Sequence, residues 1–115
     1  MSGSVHMPAV AGLFYPEHGA ALARAVDECL VDDYLVGTDR ADVAPLALIV
    51  PHAGYVYSGA VAGRAFSELK PWRDVIRRVV LLGPSHRAAF RGMALPAAQS
   101  VRTPLGDLNV DSTGR

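Results

Sequence analysis

Two short apolar runs, each followed by a histidine, dominate the hydrophobic pattern of the chain. Residues 46–50 and 79–82 are rich in Leu, Ile and Val, and a proline follows each run directly or after one glycine. Runs of this length and composition are typical of strands buried on both faces of a sheet. We therefore predict two neighbouring parallel strands, whose carboxyl ends bring His52 and His86 to the sheet edge where open α/β folds bind ligands.

Two other segments carry apolar residues at helical spacing. Residues 20–34 alternate apolar and charged positions with a period that predicts an amphipathic helix. Residues 61–69 predict a second helix, with Ser58 as its N-cap. The polar stretch 37–42 is predicted as a loop between them. Residues 46–82 then form one right-handed βαβ unit, which is a hallmark of the α/β class.

The flanking segments are less regular. Residues 1–7 are polar and predict a flexible N-terminus, whereas residues 8–16 lie between two prolines and predict an extended arm. Residues 92–96 fit a third short strand, and residues 103–107 fit a turn with proline near its start and glycine near its end. Residues 108–111 alternate apolar and polar positions, as an edge strand does.

Chain length, apolar content and net charge limit the kinds of protein and partner that fit this sequence. The chain has 115 residues, half of them apolar, with formal net charge zero. This predicts one globular domain or part of one, and it argues against a nucleic acid or an acidic membrane as partner. The cluster of Arg73, Arg77 and Arg78 is interpreted as a solvated segment before a strand.

The cysteine content and the N-terminal sequence indicate the cellular compartment of the protein. A single cysteine excludes an internal disulfide framework and suits a reducing compartment. The first residues lack the basic start and apolar core of a signal peptide, and no stretch has the roughly 20 apolar residues of a membrane helix. We therefore expect a cytoplasmic protein. Cys29 falls on the apolar face of the first predicted helix, which indicates a buried packing residue rather than a reactive thiol.

The two histidines are the candidate metal ligands. Two neutral imidazoles at adjacent strand ends can share one ion through one ring nitrogen each. Zinc enzymes and non-haem iron oxygenases usually present three protein ligands. His6, His18 and Cys29 are poor third ligands because of their predicted positions. Either a third ligand lies outside this chain, or His52 and His86 are hydrogen-bonded structural residues.

Other polar residues near the predicted strand ends are candidates for a substrate pocket. The predicted pocket residues are Tyr55, Tyr57 and Ser85. If there is no substrate pocket, the two tyrosines are instead residues of the core or of a crevice wall. Neither Ser58 nor Ser85 has the Gly-x-Ser-x-Gly setting of a nucleophile elbow, so no catalytic residue is assigned.

Four motifs resemble one protein family in their order and spacing. The sequence resembles the Memo family, also called AmmeMemoRadiSam system protein B, and the likeness runs from about residue 7 to residue 111. The motifs are PAVAGLFYP at 8–16, PHAGYVYSG at 51–59, LGPSH at 82–86 and TPLG at 103–106.

The resemblance implies a fold similar to class III extradiol dioxygenases, a three-layer α/β/α arrangement around a mixed, largely parallel sheet. It implies that His52 and His86 occupy two metal-ligand positions of a non-haem centre, with Fe(II) as the expected ion and copper or zinc as alternatives. The family's third ligand comes from its C-terminal half. Residues 8–115 therefore correspond to the N-terminal half of one Memo-like domain, and Arg87 receives no role.

Two functions follow from this resemblance. The first is a metal-dependent, dioxygenase-like enzyme, inactive without its C-terminal half. The second is a non-catalytic protein that binds a peptide or a metal ion in the same crevice. A small molecule or a peptide is the expected ligand, and an unpaired sheet edge would favour self-association. Fold alone distinguishes neither function.

Overall fold

A computed structural model describes residues 3–31 and 43–114. Within them the chain forms an α/β fold, which confirms the predicted class. A three-stranded mixed sheet has the order β1-β2-β3, with β1 parallel and β3 antiparallel to β2. The elements are β1 Val5–His6, α1 Gly19–Cys29, α2 Tyr55–Ser67, a 3-10 turn at Lys70–Trp72, β2 Ser100–Thr103 and β3 Gly106–Asn109.

The prediction of buried strands at residues 46–50 and 79–82 is wrong for this structure. Neither run forms a strand, and residues 92–96 do not form one either. The predicted βαβ unit over residues 46–82 is therefore also wrong, since only its helix is present. Leu46 and Ile49 are fully exposed, and Leu81 is nearly so. A central strand needs a neighbour on each side for its backbone hydrogen bonds and a packed layer over each face. The described residues supply neither, so both runs remain single and solvent-facing.

Both helices differ from their predicted limits. Helix α1 ends at Cys29, where Leu30 turns extended at φ −77° and ψ 136°. The predicted continuation through 32–34 and the predicted loop 37–42 lie outside the described residues. Helix α2 begins earlier than predicted, at Tyr55, with Gly54 as N-cap. Ser58 is therefore not the cap. The sequence does not indicate that α2 begins at Tyr55, because tyrosine and valine favour strands by propensity.

The two helices pack closely through small residues of α2. Gly59 and Gly63 are buried against Cys29, and a Cβ on Gly63 would overlap the backbone oxygen of Cys29. Ser67 joins the end of α2 to the segment directly after α1, since its hydroxyl accepts a hydrogen bond from Val31 N at 3.0 Å and donates one to Gly63 O, within α2, at 2.8 Å. The half-buried Cys29 thus lies at the helix contact, in agreement with its predicted packing role.

Strands β2 and β3 form a hairpin across the predicted turn. Thr103 pairs with Gly106, whose φ of 131° suits a residue without a Cβ. Arg102 donates two hydrogen bonds of 2.8 Å to the carboxylate of Asp107 across the pair. The turn is confirmed, and the predicted edge strand exists but ends at Asn109 rather than at residue 111.

The hairpin also holds two other parts of the chain. Val5 and His6 pair in parallel with Ser100 and Val101, so part of the segment 1–7 is paired, while its flexibility stays a prediction. Arg78, still mostly exposed, contacts Asp111 Oδ2 at 2.7 Å and so ties the start of the run 79–82 to the end of the hairpin. Within the described residues, no helix has the length and apolar character to cross a membrane.

Candidate metal centre

The structure brings the two predicted histidines into contact. His52 Nε2 and His86 Nε2 lie 3.2 Å apart, although the residues are 34 positions apart in sequence. The ring centroids are 5.3 Å apart and the ring planes are inclined by 45°. Both side chains are exposed and follow runs that are not strands. The predicted proximity is therefore present without the predicted strand pairing.

The distance between the nitrogens is compatible with a shared ion. Two imidazole nitrogens at the usual metal distance lie about 2.9 Å apart at a right angle and about 3.4 Å apart at the tetrahedral angle. The observed 3.2 Å falls between these limits. The same distance also fits a hydrogen bond between two neutral rings, one donating through Nε2–H and the other accepting. The pair therefore supplies two nitrogens of suitable spacing, and a shared ion would require a free lone pair on each of them.

No third ligand joins the pair among the described residues. A search of this part of the chain finds no group of three His, Cys, Asp or Glu side chains that could hold an ion. His18 lies 3.7 Å from Glu17 at the start of α1, and Cys29 faces α2. His6 is held in β1. That these three residues are poor third ligands stays a prediction.

An apolar cavity opens beside His52. It has a volume of about 380 Å³ and lies between the two helices, the arm 8–16 and residues 50–53. Tyr55 lines this cavity, and its ring lies 5.8 Å from the ring of Tyr15. A small apolar molecule in this cavity would therefore lie next to one imidazole of the histidine pair.

The other two predicted pocket residues lie elsewhere. Tyr57 is 85% exposed and lines a separate cleft beside the arm. Ser85 lines a third cavity, formed by residues 81–94, and its hydroxyl hydrogen-bonds Ala88 O at 2.6 Å. The structure thus places only Tyr55 in the cavity that reaches His52, and the roles of all three residues in substrate binding stay predictions.

The arm contributes to the site more than its pattern indicates. Ala11 and Tyr15 form a bridge around a turn at Gly12, whose φ is 80°. Contrary to the prediction, the arm is therefore not extended throughout, because its backbone folds back on itself with hydrogen bonds such as Gly12 N to Tyr15 O at 2.8 Å. Phe14 O accepts a hydrogen bond of 2.8 Å from Tyr55 N, at the exposed N-terminus of α2. The arm therefore supplies a backbone acceptor to α2 close to His52, and Phe14 and Tyr15 line the cavity. The signal in the sequence is the aromatic pair between Gly12 and Pro16.

Tyr55 has an environment that changes its acidity. Burial raises the pKa of the Tyr55 phenol above its ordinary value, and the nearby Cys29 and Tyr15 raise it further. Because the folded pKa exceeds the unfolded pKa, this phenol contributes stability at neutral pH that is lost as the pH rises through the folded pKa.

We therefore predict that Tyr55→Phe reduces the loss of stability in alkaline solution. The free energy of unfolding, measured by urea titration at several pH values, should fall less steeply above about pH 10 in the variant than in the unchanged protein. Tyr57→Phe, which alters an exposed ring, is the control. Equal slopes for Tyr55→Phe and the unchanged protein would contradict the assigned environment.

Comparison with known proteins identifies relatives. The family model described as Memo-like protein matches residues 6–114. A MEMO1 family protein of Methanocaldococcus jannaschii is 37% identical over 115 residues, covering 93% of this chain and 39% of the relative. Protein MEMO1 of Xenopus laevis is 39% identical, covering 88% of this chain and 32% of the relative. A MEMO1 family protein of Aquifex aeolicus is 33% identical, covering 93% and 37%.

No solved structure matches the chain. The chain spans about a third to two fifths of the length of these curated relatives. The family model nonetheless covers nearly the whole chain, and the matched residues include the motifs that carry both histidines. The chain therefore belongs to the family of Memo-like proteins.

Proposed function

We propose that His52 and His86 supply two ligands of a non-haem metal centre in a dioxygenase-like, metal-dependent protein. The observation that carries the proposal is the 3.2 Å separation of the two Nε2 atoms. Fe(II) is the proposed ion, since imidazole suits iron and non-haem oxygenases combine such nitrogens with a further ligand. Copper and zinc are the alternatives, because both also bind imidazole.

The third ligand belongs outside the described residues in this proposal. The relatives are more than twice as long as the matched region, so they contain a large segment without a counterpart here. We propose that the full three-layer α/β/α arrangement also requires such a segment. It would cover the exposed runs 46–50 and 79–82 and supply strand neighbours to them. In a reducing compartment such as the cytoplasm, Fe(II) and the free Cys29 would both persist.

The residues of this chain would bind and orient rather than perform the reaction alone. When bound, the ion supplies Lewis acidity and redox chemistry at open coordination positions. The apolar cavity beside His52 would hold the carbon skeleton of a small substrate, with Tyr55 as one wall. The apolar lining would favour an aromatic or otherwise apolar substrate over a charged one.

A non-catalytic protein that binds a peptide is the second candidate function. The cleft lined by Gly12, Phe14 and Tyr57 lies next to the first cavity and is open to solvent. Exposed aromatic rings in such a cleft are suitable anchors for a peptide side chain. Peptide binding in this cleft needs no metal, whereas a non-catalytic metal-binding protein would bind an ion as the first candidate does. Oxygen uptake with substrate, rather than metal binding, therefore separates the two candidates.

Metal titration tests the proposed centre directly. We expect calorimetry to show one Fe(II) or Zn(II) ion bound weakly, because two imidazoles leave the coordination incomplete. His52→Ala and His86→Ala should each lower the affinity at least tenfold. His18→Ala, which removes an exposed histidine away from the pair, is the matched control.

The same titration has two outcomes that would overturn the proposal in different ways. Unchanged binding in both histidine variants would remove these residues as ligands. Tight, stoichiometric binding by the 115-residue chain as a monomer would show that the site is already complete, and the argument for an outside third ligand would be wrong.

A further inference from the structure

We infer that two serine hydroxyls, Ser58 Oγ and Ser85 Oγ, act as positioning groups that hold the rings of His52 and His86 in contact. The inference rests on the proposed function for the importance of that contact, while the contact itself is a property of the metal-free fold. The hydroxyls of both serines bond to backbone atoms close to a histidine rather than to an imidazole nitrogen.

Ser58 holds the backbone that carries His52. Its hydroxyl donates a hydrogen bond of 3.0 Å to Ala53 O, the carbonyl directly after the histidine. Ser58 is only 8% exposed, and a buried hydroxyl is costly without a partner. The bond spans Gly54, the N-cap of α2, and therefore joins the His52 loop to the first turn of the helix.

Ser85 does the same for His86 in an exposed loop. Its hydroxyl donates to Ala88 O at 2.6 Å and accepts from Ala88 N at 3.3 Å. The two bonds close a short loop that contains His86 and Arg87. Because residues 81–92 are all exposed, packing contributes little to the shape of this loop. The hydroxyl of Ser85 is therefore a main local restraint on the His86 backbone.

These restraints matter because no sheet holds the histidines. Both rings are exposed, and the runs that precede them are not strands in the described structure. An unrestrained loop would let each imidazole occupy several rotamers, and the Nε2 atoms would separate. In metal sites, groups that orient a ligand without touching the ion typically change the affinity by about 10- to 100-fold.

The first test measures ring contact in the metal-free protein. With ¹⁵N-labelled histidine, we expect a nuclear Overhauser effect between the His52 and His86 ring protons in the unchanged protein. Ser58→Ala and Ser85→Ala should each weaken or abolish it. Ser85→Thr, which retains a hydroxyl at an exposed position, should preserve it.

A matched control separates positioning from general loss of stability. Ser67 is also 8% exposed in α2, but its hydroxyl bonds Gly63 O and Val31 N, at the other end of the helix. Ser67→Ala should lower the midpoint of thermal unfolding as Ser58→Ala does, yet it should leave the ring contact intact. Zn(II) affinity should fall about tenfold in Ser58→Ala and Ser85→Ala, and should not change in Ser67→Ala.

The outcomes distinguish this inference from the proposed function. Ring contact that persists in both serine-to-alanine variants, is absent from the unchanged protein, or is lost equally in Ser67→Ala overturns the inference. Contact that depends on Ser58 and Ser85 in a protein that binds no zinc supports the inference and counts against the proposed function. Normal zinc affinity in variants without ring contact would support the positioning role of the serines and overturn its link to metal binding.

Discussion

Replacing Gly63 with alanine should lower the free energy of unfolding by about 1–2 kcal/mol, because an overpacking cost of about 2–3 kcal/mol is offset by a helix-propensity gain of about 1 kcal/mol. The added methyl would overlap the backbone oxygen of Cys29, so α1 and α2 would have to move apart. Backbone atoms cannot rotate away as a side chain does. Alanine is favoured over glycine in a helix by about 1 kcal/mol, so the measured loss is the clash minus this gain.

Urea unfolding followed by circular dichroism measures this effect, and Gly59→Ala is the matched control. A Cβ on Gly59 would meet Cys29 Sγ at 2.9 Å, and that sulfur can shift by rotation about χ1. We expect Gly59→Ala to be close to neutral, because the helix propensity gain offsets a smaller clash. A Gly63→Ala variant as stable as the unchanged protein would show that the helices are not in close contact at this point.

Loss of oxygen consumption in the histidine variants is the second large effect that we expect. The test uses the longest gene product in which these residues occur, loaded with Fe(II). Under the proposed function, its oxygen uptake with a panel of catechols should fall at least 100-fold in His52→Ala and in His86→Ala. Each variant removes one of the two proposed nitrogen ligands. Among the described residues no group of three His, Cys, Asp or Glu side chains could hold the ion instead.

An oxygen electrode measures the uptake, with His18→Ala as control. Uptake that survives in both histidine variants would exclude these residues from the reaction. No uptake with any catechol, together with peptide binding that depends on Tyr57, would favour the non-catalytic candidate. Metal binding must be measured in each variant as well, so that a loss of activity can be attributed to the ligands.

The proximity of His52 and His86 is more predictable from the sequence than the secondary structure of the segments that carry them. His52 and His86 were identified because each follows an apolar run and a proline, a local feature that the sequence displays directly. The runs themselves were expected to be strands, and within the described residues they are not. Strand formation depends on neighbours that a single run cannot supply, so hydrophobicity alone overestimates it.

The limits of the helices also depend partly on the local sequence and partly on contacts with distant segments. The apolar face that includes Leu22 and Cys29 was predictable from its period. The start of α2 at Tyr55 was not, because its N-terminus is stabilised by contacts with distant segments. One such contact is the hydrogen bond from Tyr55 N to Phe14 O.

Sequence alone determined the α/β class, the family, the helical faces, the turn at residues 103–106 and the identity of the histidine pair. These features depend on residue type and on short spacings, which are local. Only the tertiary structure decided that the two Nε2 atoms lie 3.2 Å apart, that Ser58 and Ser85 bond to the backbone beside them, and that Tyr57 and Ser85 lie outside the cavity next to His52. Those distances join residues far apart in the chain or depend on how loops fold back, so packing sets them.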